Sequence, residues 1–149
     1  MAVSVRTGDF DMAAEIAALT AGRTDIGAVV TFTGICRGQD DGRDVCALTL
    51  ETYEEMALAE LSRLEAEARQ RWPLQGSTII HRHGRLQPGD NIVLVICASA
   101  HRHAAFEAAS FLMDYLKTRA PFWKAEEAAG GERRWIAAKT EDDEAAERW

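Results

Sequence analysis

Apolar positions along the chain keep two rhythms. Between Glu54 and Trp72 they recur at spacings of three and four, at Ala57, Leu61, Leu64, Ala68 and Trp72. Glu54, Glu55, Glu60, Arg63, Glu67 and Arg71 cover the other side. That stripe predicts an amphipathic helix, and Pro73 ends it. Ser99–Arg119 reads as a second helix, with Ser99 as N-cap and Phe106, Ala109, Ser110, Met113 and Leu116 along its apolar face. Asp11–Leu19 is alanine-rich and predicts a shorter helix capped by Asp9 or Asp11.

The other rhythm has a period of two. Val3–Arg6 and Val45–Tyr53 alternate as strands do, and Gly27–Gly34 is a β-rich run closed by glycine. The runs at Gly27 and Val45 are expected to form an antiparallel hairpin across the polar loop Gly38–Asp44. Thr78–His83 predicts another strand, and Leu86-Gln-Pro-Gly-Asp90 a turn. Asn91–Ala98 is apolar on both faces, which predicts a central strand. Pro121 breaks the helix, so Phe122–Glu126 should be extended. Gly130-Gly131 turns the chain, Arg134–Ala138 returns, and a charged tail runs to Trp149. Strands mostly in hairpins with helices between them predict an α+β fold, helices packed on a mixed or antiparallel sheet.

At 149 residues and 47% hydrophobic content, one domain spanning 1–149 with a real core is expected. No apolar run approaches the ~20 residues needed to span a bilayer, and Met1–Asp9 lacks the order of a secretory signal, so the expected location is the cytoplasm. Three cysteines without CxxC spacing fit a reducing compartment, and Cys36, Cys46 and Cys97 read as inert core residues. The net charge of −7 argues against nucleic acid. Within it, His101–Lys124 is locally basic, which suits a small anionic ligand.

Candidate chemistry collects in that segment. Ser99-Ala-His-Arg-His103 follows an apolar strand and opens a helix, where unpaired N–H groups, His101 and Arg102 would suit a phosphate or carboxylate. Lys117 lies near the apolar face of its helix, where partial desolvation would favour a neutral amine. Pro121 starts a stiff stretch that brings Lys124 back, with Phe122 and Trp123 as aromatic walls. From spacing alone, the commoner reading of both lysines is as snorkelling surface residues. Arg37, beyond Gly34, either clamps an anion or starts the loop. The triplets His81-Arg-His83 and His101-Arg-His103 lack further ligands at metal spacing, so no metal site is expected.

Four segments together resemble the family of large, catalytic subunits of molybdopterin synthase. They are Gly27-Ala-Val-Val-Thr-Phe-Thr-Gly34 with Arg37, Ile80-His-Arg-His-Gly84 with Pro88-Gly-Asp90, Ser99-Ala-His-Arg102, and Met113-Asp-Tyr-Leu-Lys-Thr-Arg-Ala-Pro-Phe-Trp-Lys124. The last is the most specific, and the resemblance runs from about Gly27 to Trp149. It implies an α/β hammerhead-type fold and a homodimer that binds two small ubiquitin-like sulfur-carrier subunits, making a heterotetramer. The carrier's C-terminal Gly-Gly thiocarboxylate would give sulfur to cyclic pyranopterin monophosphate, forming the dithiolene of molybdopterin. Carried over, Lys117 and Lys124 match catalytic lysines, and Arg37, His101 and Arg102 match substrate-binding residues. Backbone at Ile35–Cys36 and Ala125–Glu126 lies where the family contacts substrate. Sulfur arrives already activated, so no cofactor or nucleophilic cysteine is expected. Cys36 and His103 depart from the family's usual residues. The competing classes are a non-catalytic pterin- or carrier-binding module and a metal-dependent hydrolase built on the histidine triplets.

Overall fold

The computed structural model describes residues 2–136 and 140–149. In chain order the elements are β1 (Ala2–Arg6), α1 (Met12–Thr20), β2 (Ala28–Ile35), β3 (Gln39–Asp40), β4 (Arg43–Asp44), β5 (Ala47–Glu51) and α2 (Glu54–Arg71). There follow β6 (Leu74–Arg82), β7 (Gly84–Leu86), β8 (Asn91–Ser99), α3 (Arg102–Thr118), β9 (Trp123–Glu127), β10 (Arg133–Ile136) and α4 (Thr140–Glu147). The expected return strand Arg134–Ala138 is seen as far as Ile136; Ala137 and Ala138 lie outside the described residues.

Among the described residues the strands form two four-stranded sheets and one short ribbon. The first sheet has the order β1-β6-β8-β2, with β1 parallel to β6 and the other pairs antiparallel. The second is antiparallel, β10-β9-β5-β7, and β3 pairs with β4 alone. This mixture of helices with mixed and antiparallel sheets is the α+β architecture expected.

The pleat explains why β8 is apolar throughout. Val93, Val95 and Cys97 join a core with Leu61, Leu64 and Ala68 of α2 and Phe111, Leu112 and Tyr115 of α3. Leu94 and Ile96 face the other way, onto Phe10, Ile80 and the α1 residues Ile16 and Leu19. Asp11 caps α1, accepting a hydrogen bond from the Ala14 N–H at 3.1 Å.

The structure corrects several expectations. β2 and β5 do not form a hairpin: β2 pairs with β8 along its length, and β5 pairs with β7 and β9 in the other sheet. A central strand buried on both faces needs a neighbour at each edge, and β2 fills that place. The polar loop between them holds the β3–β4 ribbon. Ser99 is not the cap of α3. His101 occupies that position without a side-chain cap bond, and the Ser99 hydroxyl donates to the His101 carbonyl. Of the expected apolar face of α3, Ala109 and Leu116 are buried, but Phe106 is 61% exposed, and Ala104, Ala105, Ala108, Phe111, Leu112 and Tyr115 complete the buried side. Cys46, expected in the core, is exposed. The charged tail forms α4, docked through buried Ala146 and through Trp149 against Trp72 and Phe111.

Candidate functional site

At one end of the first sheet, the last residues of β2 and β6 and the first of β8 meet the C-terminal end of α3. A cleft of about 370 Å³ opens there, lined by Ile35, Cys36, Arg37, Lys117, Phe122, Lys124 and Glu126, with Asp40 from the ribbon. It narrows into an inner cavity of about 110 Å³, lined by Gly34, His81, Met113, Lys117, Phe122 and Lys124 among others. Gly34 is required on its wall: a Cβ there would lie 2.8 Å from Val93 Cγ1.

Local structure fixes each part of the rim. The Cys36 N–H donates to the Asp90 carbonyl at 2.8 Å, and the Cys36 carbonyl accepts from the Gly89 N–H at 2.8 Å. Gly89 allows this with φ of 92°, in the predicted turn. Ile35–Arg37 is thereby tied to the turn before β8. On the other side Pro121 ends the helical segment, and the Thr52 hydroxyl donates to the Pro121 carbonyl at 2.7 Å. β9 then alternates: Lys124 and Glu126 line the cleft, whereas Trp123 faces a separate groove with Tyr53 and His83. Phe122 is thus an aromatic wall of the cleft as expected, and Trp123 is not. Ala125 is fully buried between its strand partners Thr49 and Trp135 and does not line the cleft.

Lys117 and Lys124 therefore share a cavity with Arg37 at its mouth. Lys117 is exposed rather than partly desolvated, because α3 presents it at the open end of the cleft, and Lys124 is half-buried. Arg37 is mostly exposed and lies 3.7 Å from Asp40. Burial raises the Glu126 carboxyl above its ordinary range, and a hydrogen bond with Asp40 adds to this; Arg134, 3.8 Å away, opposes it. Asp40 sits in a loop whose polarity gave no sign of this role.

Two histidine readings resolve differently. His81 lines the inner cavity, stacked on Phe122 with centroids 3.8 Å apart. His83 instead approaches the Glu54 carboxylate at 2.6 Å. Among the described residues no three His, Cys, Asp or Glu side chains converge as a metal site. Burial raises the Cys36 thiol and pushes Cys97 up to about 12, which removes both as ready nucleophiles. His101 and Arg102 are exposed at the far end of α3. At 1.5 Å per residue they stand roughly 22 Å from Lys117, so one chain does not bring them to the lysine cleft.

The sequence model of the family described as "MoaE protein" matches residues 5–119. The chain is 62% identical over 148 residues to the molybdopterin synthase catalytic subunit of Mesorhizobium japonicum, covering 99% of this chain and 92% of that one. Among solved structures it is similar to the molybdopterin biosynthesis MoaE protein of Burkholderia ambifaria, with TM-score 0.82, 45% identity, and 100% and 98% of the two chains covered. It is also similar to a molybdopterin synthase structure from Staphylococcus aureus, with TM-score 0.80, 29% identity, and 89% and 95% covered.

Proposed function

The chain belongs to the MoaE protein family, and from that premise we infer how its residues work as the catalytic subunit of molybdopterin synthase. It is a sulfurtransferase subunit of molybdenum cofactor biosynthesis. Sulfur passes from the thiocarboxylated C-terminus of a small sulfur-carrier subunit to cyclic pyranopterin monophosphate, giving the dithiolene. The observation that carries the site assignment is the convergence of Lys117 and Lys124 in one cleft with Arg37 at its mouth. A flat pterin with an anionic cyclic phosphate calls for cationic groups beside an aromatic wall, and Phe122 supplies that wall.

Lys117, at the open end, is placed to meet the incoming thiocarboxylate, balance its charge and move protons. Lys124, deeper on β9, assists opening of the cyclic phosphate or loss of oxygen at the adjacent carbon. Entry of the carrier's tail would cover Lys117 and supply the desolvation that the isolated chain lacks. Backbone at Ile35–Cys36 and at Glu126 forms the substrate-binding rim, with buried Ala125 setting the strand behind it. The whole chain, 1–149, acts as one domain, in the cytoplasm. No helix among the described residues is long and apolar enough to cross a membrane.

His101 and Arg102 serve the cleft of a second copy. β2 is the free edge of its sheet and exposes Val29, Phe32 and Ile35 at 37%, 40% and 53%. Its register sets Ala28 opposite Ser99 and Ile35 opposite Asn91, so it spans the distance from the His101 end to the lysine end, roughly 23 Å. Two-fold pairing through this edge brings His101 and Arg102 of one copy to Arg37 and Lys117 of the other.

The test is incubation with thiocarboxylated carrier and cyclic pyranopterin monophosphate, followed by assay for molybdopterin. Product formation that fails with Lys117→Ala supports the reading; full product formation by Lys117→Ala sinks it.

A further inference from the structure

Among the described residues, His81 is the one buried titratable side chain lining the inner lysine cavity, and the sulfur-transfer reading leaves it without a task. Three strands hold it, since it pairs with Val5 on β1 and Val93 on β8. Phe122 stacks on its ring at an interplanar angle of 16°. Its Nδ1 lies 2.8 Å from the Arg82 carbonyl oxygen. A carbonyl only accepts, so Nδ1 carries the hydrogen and Nε2 keeps its lone pair. Among the described residues, the polar side chains lining the inner cavity are His81, Lys117 and Lys124, and the rest of the lining is apolar.

We propose that His81 is a positioning residue, its Nε2 lone pair accepting a hydrogen bond from the Lys117 ammonium and so holding that lysine inward for the reacting chain. Its use depends on the assignment of Lys117 above. The arrangement is chemically consistent. Burial, with the two lysine charges, lowers the imidazole pKa to about 4, although the Arg82 carbonyl opposes this, so the ring stays an acceptor at working pH. The charged or titratable groups acting on it are Lys117 from α3, Lys124 from β9 and His83 just past β6. Lys117 is exposed and carries a long flexible stem, so it needs a fixed acceptor to take up one geometry.

Two measurements test this. Imidazole ¹⁵N NMR of the full chain should show the Nδ1–H tautomer at neutral pH, and Lys117→Ala should shift the Nε2 resonance. An Nε2–H tautomer, or an Nε2 signal unmoved by Lys117→Ala, overturns the proposal whether or not the chain is active. In the complex with thiocarboxylated carrier, His81→Phe keeps the stack on Phe122 but removes the acceptor. It should slow single-turnover sulfur transfer roughly tenfold to a hundredfold without weakening carrier binding, as loss of a hydrogen bond to a charged group does. His81→Gln, which restores an acceptor, should recover part of the rate. His81→Phe with the wild-type rate and pH profile overturns the proposal. An inactive wild-type complex with the NMR result intact would instead count against the sulfur-transfer reading.

Discussion

The Thr52 hydroxyl donates to the carbonyl of Pro121, 69 residues later, at 2.7 Å. This bond ties the end of β5 to the bend that launches β9, and Lys124 is the second residue of that strand. Thr52→Val removes the donor while keeping the shape. It should cost about 1 kcal/mol of stability and lower the rate of sulfur transfer more than it raises KM for the pterin. Urea denaturation and steady-state kinetics check both parts.

Lys117→Ala and Lys124→Ala should each lower the rate of product formation roughly a hundredfold or more, as loss of a charge-balancing or proton-moving group does. Neither should destabilise the fold, because Lys117 is exposed and Lys124 lies in the cleft lining. Arg37→Ala should act mainly on KM. Thermal melting alongside kinetics separates these effects.

A shared site predicts complementation. Lys117→Ala and Arg102→Ala homodimers should both be poorly active. After subunit exchange, half of the dimers are mixed and each carries one intact site, so activity should recover to about one quarter of wild type. Phe32→Asp, on the exposed edge of β2, should yield monomers by analytical ultracentrifugation and abolish the recovery.

Acid should destabilise the chain through His81. Its folded pKa, about 4, lies below the unfolded value of 6.5. The unfolded chain therefore takes up a proton first as pH falls. Stability is fully present above pH 6.5 and declines toward pH 4, by on the order of 3 kcal/mol. His81→Phe should flatten that decline in denaturation midpoints measured across the interval.

Glu126 works in the opposite sense. Its folded carboxyl is raised above the ordinary 4.5, first by burial and then by Asp40. Its contribution is present below pH 4.5 and is lost as pH rises through the folded value. Glu126→Gln should match wild-type stability in acid and exceed it at neutral pH, as followed by thermal melting at several pH values.

Much of this was legible along the chain, and the gaps have physical causes. The stripe of α2 and the apolar run of β8 announce themselves because burial is periodic there. Partner choice for β2 is not local, so its period could not say whether it pairs with β5 or β8. The buried face of α3 includes Ala104, Ala105, Ala108 and Ala109, which carry little hydrophobic signal, so the stripe finds Ala109 and Leu116 but puts exposed Phe106 with them. The acidic tail reads as solvated because its apolar docking rests on Ala146 and Trp149, while Arg148 and Trp149 add polar bonds to Asp114 that no apolar period marks. Spacing left Lys117 and Lys124 open between surface and site, and their flanking motif made them a site. Spacing could not place His101 and Arg102 at the other end of the helix, nor bring Asp40 against Glu126 from a polar loop.

The pleat of β9 puts Trp123 and Lys124 in different compartments, one in the Tyr53–His83 groove and the other in the cleft. Neighbouring codons therefore answer to different selective pressures. A deletion or insertion of one residue between Pro121 and Lys124 would exchange the two compartments' occupants, placing an indole among the cations and an amine in the groove. Length variation among related genes should be purged from this short stretch even where individual side chains drift, and directed evolution of the cleft should proceed there by substitution, never by indel.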